Sequence, residues 1–320
     1  MGGRIVVFAA LWVNLVSVVS EAAAGNVACV PSGGKLYVDV SAADYIEVID
    51  LTTRQVVDRI TVGQHPHGLA LGCRMIAGRA REFLYVTVES TGELVIVDAQ
   101  RRQVVGRVKV GEVPNQLTLT QDGAIAYVPL RGEAKVAVVE LGSEGREPKV
   151  LKRIPIGEWP HNSYTGQTTG RIYVTSFKGK KIHVFDPKTH ELLFEIDFPG
   201  EVRPVALTRD ETRAYVAESD FHGFVLADIP ARKVIQRVEL PPLPPETPEP
   251  FLKTYVHGLT LSPDEKELWV TSCAGAAVYA YSLPDLKLLA KVPTGKFPHW
   301  FAWEKRADTG ETPFDFAQGK

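Results

Sequence analysis

The stretch FLYVTV, residues 83–88, joins an aromatic residue, a valine and a threonine in a run of β-branched and aromatic side chains. This composition predicts a β-strand. Tyr or Trp followed by Val recurs at spacings of 42 to 54 residues along the chain. The copies are KLYVDV (35–40), FLYVTV (83–88), IAYVPL (125–130), RIYVTS (171–176), RAYVAE (213–218) and ELWVTS (267–272). A repeat of this length indicates a fold built from copies of one small unit.

Three more strand-like runs accompany each copy. A second run such as LVIVDA (94–99) follows it, then a third such as VVGRVKVG (104–111). A glycine and proline phrase then leads into a short fourth run, as in VGQHPHGLAL (62–71), and no helical period is sustained after residue 24. Four short strands per repeat predict an all-β fold, a β-propeller of four-stranded antiparallel blades.

The blade number stays open between six and seven. Six complete repeats are readable, and PHWFAW (298–303) begins a seventh that lacks a recognisable YV strand. We predict a single propeller domain over residues 25–303 and an irregular C-terminal tail over 304–320.

The repeats resemble the YVTN β-propeller family, within the lactonase-like and cytochrome d1-like propellers. YVTV, YVPL, YVTS, YVAE and WVTS match the name-giving motif, and SPDEKELWV (262–270) carries the family's turn, although no copy keeps the final asparagine. The resemblance covers residues 26–303 and implies a propeller fold. Such propellers serve as enzymes, cofactor domains and binding platforms, so the resemblance alone does not choose a function.

The first 24 residues have a different character. Arg4 precedes a 15-residue apolar run, Ile5 to Val19, and small residues follow up to Ala24. This layout predicts a signal peptide over residues 1–24, and hence a periplasmic or extracellular protein with no stable membrane span in the mature chain.

Composition narrows the partner classes. The formal net charge is −2, with 45% hydrophobic and 23% charged residues, and no long run of Lys and Arg appears. This gives no support to nucleic-acid binding. The basic segment RMIAGRAR (74–81) is predicted to be a solvated loop.

The residue after each proline of the glycine phrase is the main candidate for function. In a propeller, first strands line the central channel and all begin at the same mouth. The aligned residues are His67, Asn115, His161, Arg203, His257 and His299, one per blade. We therefore predict that they ring one mouth of the channel.

Other polar residues are expected at the same mouth. The turns that follow the YV strands carry Glu89, Arg131, Lys178, Glu218, Asp220, His222 and Cys273. We include Glu89, Glu218 and Asp220 among the predicted ligand-binding residues. The proline-rich segment PPLPPETPEPFLKTY (241–255) is predicted to cross this face as a stiff cover.

Two kinds of ligand remain open for such a ring. The four histidines, His67, His161, His257 and His299, are a donor set for a transition metal. Arg203 favours an anion instead, because a guanidinium repels a bare cation and binds carboxylate or phosphate. A small anionic ligand, a quinone or a haem propionate would suit the mixture.

Three function classes follow. The first is a ligand-binding or partner-binding protein that uses the histidine-bearing mouth. The second is a metal- or cofactor-dependent enzyme on the same face, either a lactonase-like or lyase-like hydrolase or an oxidoreductase domain. The third is an interaction scaffold for a protein partner. The sequence has no GxSxG or CxxCH motif, so serine hydrolase and c-type cytochrome chemistry lack support.

Overall fold

The computed structural model describes residues 35–39, 43–50, 55–76, 79–142, 146–243, 256–262, 264–272, 274–275 and 277–293. The predicted signal peptide, most of the proline-rich segment, His299, Cys273 and the predicted tail lie outside the described residues.

The described chain forms six antiparallel sheets, one of three strands and five of four, which we number as blades 1 to 6. Blade 1 contains β1 (Lys35–Asp39), β2 (Tyr45–Asp50) and β3 (Gln55–Thr61). Blade 2 contains β4 (Pro66–Ile76), β5 (Arg79–Val88), β6 (Glu93–Asp98) and β7 (Gln103–Lys109). Blade 3 contains β8 (Thr118–Leu119), β9 (Ile125–Leu130), β10 (Lys135–Glu140) and β11 (Lys149–Pro155).

The remaining blades repeat this order. Blade 4 contains β12 (Pro160–Thr165), β13 (Ile172–Ser176), β14 (Lys181–Phe185) and β15 (Leu192–Asp197). Blade 5 contains β16 (Val202–Leu207), β17 (Arg213–Glu218), β18 (Gly223–Asp228) and β19 (Lys233–Glu239). Blade 6 contains β20 (Leu259–Leu261), β21 (Glu267–Ser272), β22 (Ala277–Ser282) and β23 (Leu288–Pro293).

The YV pair explains why the sheets stack face to face. Successive side chains of a strand point to opposite faces of its sheet. Tyr127 therefore packs in the core between blades 3 and 4, whereas Val128 packs in the core between blades 2 and 3. Tyr173 and Val174 divide in the same way between their two neighbouring blades. The YV pairs of blades 2 to 5 thus fill the cores on both sides of their own blades.

The strands of a blade differ in burial in the way a propeller requires. The second strands are almost wholly buried, as in β9, where only Ile125 is partly accessible. The fourth strands face solvent, as in β7, whose residues alternate between exposed and half-buried. First strands of consecutive blades lie side by side from β4 to β20. The predicted all-β propeller of four-stranded antiparallel blades is confirmed.

The prediction for the basic segment at 74–81 was wrong. Instead of a loop, residues 74–76 extend β4 and residues 79–81 extend β5, with Arg74 paired to Arg81 and Ile76 to Arg79. The high content of polar and small residues masked a hairpin that is longer than its counterparts in the other blades.

Candidate functional site

The first strand of several blades begins with a β-bulge. In blade 2, Pro66 pairs with Val88 and Gly68 with Thr87, which leaves His67 as the extra residue. The equivalent register shifts enclose His161 with Asn162 in blade 4, and Arg203 with Pro204 in blade 5. A bulge bends its strand and changes the direction of the side chains it carries. His67, His161 and Arg203 therefore occupy the irregular position of their first strands.

Threonine hydroxyl groups of the YV strands hold these bulges. The backbone N–H of Gly68 donates to Thr87 Oγ1 at 2.8 Å. That of Asn162 donates to Thr175 Oγ1 at 3.0 Å, and that of Gly258 to Thr271 Oγ1 at 2.8 Å. In blade 5 the corresponding residue is Pro204, which has no N–H, and the YV strand has alanine in place of threonine. In these four blades the YV strand thus has a threonine where the first strand has a backbone N–H group that needs an acceptor, and has none where that residue is proline.

We expect Thr175→Val to lower the free energy of unfolding by about 1–3 kcal/mol, because the buried N–H of Asn162 loses its acceptor while the side-chain volume stays the same. Urea denaturation measures the loss. Thr175→Ser is the matched control, since it keeps the hydroxyl group and should cost less. Equal losses in the two variants would contradict a role for the hydroxyl.

Gln116 joins the first strands of blades 2, 3 and 4. Its side-chain Oε1 accepts from Leu69 N at 3.3 Å and its Nε2 donates to Leu69 O at 3.1 Å. Its backbone N–H donates to His161 O at 3.2 Å, and its carbonyl accepts from Ser163 N at 3.1 Å. The entries of these three strands are therefore held at fixed separations.

Four of the predicted ring residues meet through one phenylalanine. The rings of His67 and His161 lie 5.9 Å apart, edge to face. Phe177 lies 6.2 Å from the His161 ring, and the Arg203 guanidinium lies 4.8 Å from the Phe177 centroid. Arg203 Nη1 is 3.4 Å from His257 Nε2. The residues of blades 2, 4, 5 and 6 therefore form one cluster.

Glu89 brings blade 3 into the same cluster. Its carboxylate accepts from Asn115 Nδ2 at 3.3 Å and lies 3.5 Å from Arg131 and 3.8 Å from His67. Burial raises the pKa of Glu89, and the nearby Arg131 and His65 oppose that rise. We call the resulting set the mouth cluster; it consists of His67, Glu89, Asn115, Arg131, His161, Phe177, Arg203 and His257.

Glu218 and Asp220 have a different environment. Glu218 Oε1 accepts from Gly200 N at 2.9 Å, and Asp220 Oδ1 accepts from Glu201 N at 3.1 Å. Burial raises the pKa of the Glu218 carboxyl. These hydrogen bonds hold the turn that enters blade 5, and a ligand-binding role for Glu218 and Asp220 stays a prediction.

Sequence reasoning missed three contributors. His65 has no counterpart in the other copies of the glycine phrase, yet His65 Nδ1 lies 3.9 Å from Glu89 Oε2. Phe177 and Trp159 were not singled out, although their rings stack at 5.9 Å beside the cluster. One signal was available in the sequence: His65, Val113 and Trp159 each stand immediately before the proline of their phrase. In the structure all three adopt a left-handed φ, of 58°, 49° and 54°. Non-glycine residues rarely adopt this conformation.

Two buried amide atoms lack a protein partner in the described part of the chain. Asn115 Oδ1 and Asn162 Nδ2 make no hydrogen bond there, although both residues are fully buried. His161 Nδ1 lies 2.6 Å from Asn162 Oδ1, so Nδ1 carries the proton in the neutral ring and Nε2 keeps its lone pair. Asn115 and Asn162 thus offer one acceptor atom and one donor atom, and His161 offers the lone pair of Nε2.

The protonation of His161 is strongly disfavoured. Burial, the Arg203 charge and the neighbouring His67 hold the pKa of His161 well below its ordinary value of 6.5. The unfolded chain takes up this proton near pH 6.5, whereas the folded chain does not. Stability is therefore fully present above pH 6.5 and falls as the pH is lowered.

We expect His161→Gln to flatten the pH dependence of stability below pH 6.5, by up to one proton, or about 1.4 kcal/mol per pH unit. Urea denaturation between pH 7.5 and 5 measures this slope. Glu89 has the opposite dependence, but it is present in both proteins and its contribution largely cancels. Parallel curves for the two proteins would contradict the prediction.

A bare metal ion fits the described cluster poorly. Among the described residues, no group of three His, Cys, Asp or Glu side chains is placed to hold a metal. The Arg203 charge next to His257 also disfavours a cation. A metal site that includes His299 stays a prediction, since His299 lies outside the described residues.

Comparisons with known proteins agree with the architecture. Across the described residues, no helix has the length and apolarity needed to span a membrane. Hydrazine synthase of Kuenenia stuttgartiensis superposes with a TM-score of 0.67 at 18% identity, over 83% of this chain and 85% of that one. The dihydro-heme d1 dehydrogenase NirN in complex with DHE gives 0.61 at 14% identity, over 86% of this chain and 56% of that one. At these identities the likeness shows the fold alone.

A curated relative and a family profile extend the comparison. The 6-phosphogluconolactonase of Serratia proteamaculans (strain 568) is 36% identical over 76 residues, which is 23% of this chain and 23% of the relative. The match thus spans less than a quarter of that protein. The profile of the YNCE-like beta-propeller matches residues 74–246, more than half of the 320 residues. The chain belongs to the YNCE-like β-propeller family.

Proposed function

We propose that the protein binds a small carboxylate-bearing ligand at the mouth of its channel, through the mouth cluster. One observation carries the proposal: the buried Arg203 guanidinium lies among His257, Phe177 and a neutral His161 contributed by other blades. Several strands thereby aim polar groups at one small volume, which is the usual form of a ligand site.

The charges of the cluster favour an anion. Arg203 and Arg131 both disfavour the protonated form of His161, so the potential there is positive. Burial also raises the pKa of Glu89, whose carboxyl group contacts Arg131 and His67. A carboxylate between these groups would offset the positive potential in a partly desolvated setting, where charge-assisted hydrogen bonds are strong.

The two unpartnered amide atoms suggest the neighbouring functional group. Asn162 Nδ2 would donate to a carboxylate oxygen, and Asn115 Oδ1 would accept from a hydroxyl or amide N–H of the same ligand. A hydroxy acid or an amidated acid would satisfy both atoms and remove the cost of leaving them unpaired.

A thermal-shift and calorimetry panel tests the proposal. Acetate, succinate, malate and benzoate are compared with choline and with zinc chloride as cationic probes. We expect at least one carboxylate to raise the melting temperature and neither cation to do so. Stabilisation by zinc alone, with no response to any carboxylate, would favour the metal site instead.

Lactone hydrolysis is the second candidate, supported by the partial match to a lactonase. The neutral His161 imidazole would orient the attacking water by accepting a hydrogen bond at Nε2, while its lowered pKa keeps the ring from holding a proton. Proton release from 6-phosphogluconolactone measures this activity. Hydrolysis that His161→Gln does not slow would contradict the assignment.

Cofactor binding and export complete the proposal. A haem or quinone would place its carboxylate or carbonyl oxygens on Arg203 and Arg131, and an absorbance spectrum of the purified protein tests for either.

We propose that the chain is exported. Detection by mass spectrometry of a protein cleaved after Ala24 would support export. A colourless protein that binds no panel compound and captures a defined protein would favour the scaffold.

A further inference from the structure

Trp159 is an exposed aromatic residue at the edge of the mouth cluster. It is 47% exposed, although large aromatic side chains gain most when buried. Its backbone has a φ of 54°, a left-handed conformation that costs a non-glycine residue about 1–3 kcal/mol. The fold therefore leaves nearly half of this residue accessible to solvent, in the left-handed conformation that it shares with His65 and Val113.

Backbone hydrogen bonds and the ring of Phe177 fix the position of the indole. Trp159 O accepts from Phe177 N at 2.9 Å, and Glu158 O accepts from Gly179 N at 3.2 Å. The two rings of Trp159 and Phe177 are nearly parallel, with an angle of 19° between their planes. One face of the indole is thus supported, and the ring needs little ordering when a ligand arrives.

Two cations lie over the indole ring. The Arg131 guanidinium lies 5.9 Å and the Lys178 ammonium 5.6 Å from the Trp159 ring. Arg131 also contacts Glu89, and Phe177 also contacts His161 and Arg203. The exposed ring is therefore continuous with the buried part of the mouth cluster.

We propose that Trp159 is a stacking platform that selects a planar, conjugated anion, such as an aromatic carboxylate. The ligand ring would lie on the exposed indole surface, and its carboxylate would meet Arg131 or Lys178. This inference rests on the proposed function, since it specifies the class of anion that the mouth accepts. A saturated ring of the same charge could not stack and would bind less well.

Calorimetric titration with benzoate and cyclohexanecarboxylate tests the inference, because the two acids share a charge and a similar size. We expect wild-type protein to bind benzoate about 3- to 10-fold more tightly. Trp159→Leu should remove this preference and keep the affinity for cyclohexanecarboxylate. Trp269→Leu, in blade 6, is the matched control and should leave the preference unchanged.

The outcomes separate the two proposals. Equal affinities for the two acids in wild-type protein, or a preference that survives in Trp159→Leu, would overturn the stacking platform and leave the anion site standing. Failure of both acids and of the wider carboxylate panel to bind wild-type protein would overturn the anion site itself. Melting temperatures of the variants show that each protein is folded.

Discussion

A protein with glutamine in place of Arg203 is expected to bind carboxylates about 10- to 100-fold more weakly than wild type. The guanidinium is buried and lies against Phe177 and His257 in the mouth cluster. Its charge-assisted hydrogen bonds to a bound carboxylate would be little screened by water, so their loss is costly. Glutamine keeps a polar side chain of moderate size, which limits the effect on folding. Calorimetry with the best carboxylate of the panel measures the change.

Two further variants show whether the effect is local. Arg203→Lys keeps the charge but loses the planar fork, so an intermediate affinity is expected. Arg213→Gln removes an arginine from the start of β17, the neighbouring strand of the same blade. Arg213 pairs there with Asp228 at 2.7 Å. This control should bind as wild type does. An equal loss in Arg213→Gln, or none in Arg203→Gln, would contradict the role of Arg203.

The propeller could be predicted because each repeat encodes the same local physics. Tyr and Val point to opposite faces of the sheet, and each fills one of the two neighbouring cores. A YV pair that recurs along the chain therefore indicates that the same packing is repeated from blade to blade. The proline-linked phrase also indicated which residues begin the first strands. The meeting of His67, His161, Arg203 and His257 follows from that alignment.

The contacts within the cluster could not be predicted in the same way. Phe177 lies in a turn after the YV strand, and no periodic pattern says that its ring will touch both His161 and Arg203. The place of Glu89 depends on how closely blades 2 and 3 approach, which Gln116 sets through hydrogen bonds to Leu69. Register and side-chain direction at a bulge are tertiary properties, and short sequence patterns carry little information about them.

Glu211 is the buried carboxylate that links blades 4 and 5 at the turns between their first and second strands. It is 4% exposed, and its oxygens accept from Thr168 N, Thr169 N, Thr169 Oγ1 and Tyr173 OH at 2.6 to 2.9 Å. The neighbouring turn contains Gly166, where a Cβ atom would lie 2.2 Å from the Glu211 carboxyl carbon. Glycine is therefore required for this approach.

Replacing Glu211 by alanine is expected to lower the free energy of unfolding by about 3 kcal/mol or more, because several buried donors lose their acceptor at once. Glu265→Ala is the matched control: Glu265 has the same place in the turn of blade 6 and the same φ of 56°, and its carboxylate accepts from Arg209 N. With one donor in place of four, this variant should lose about 1 kcal/mol. Glu211→Gln keeps one acceptor and should fall between the two, which preserves the test if the alanine variant does not fold. Urea denaturation ranks the three proteins by their free energy of unfolding. If Glu265→Ala lost as much as Glu211→Ala, the conformation of the turn, rather than the buried carboxylate, would hold the blades together.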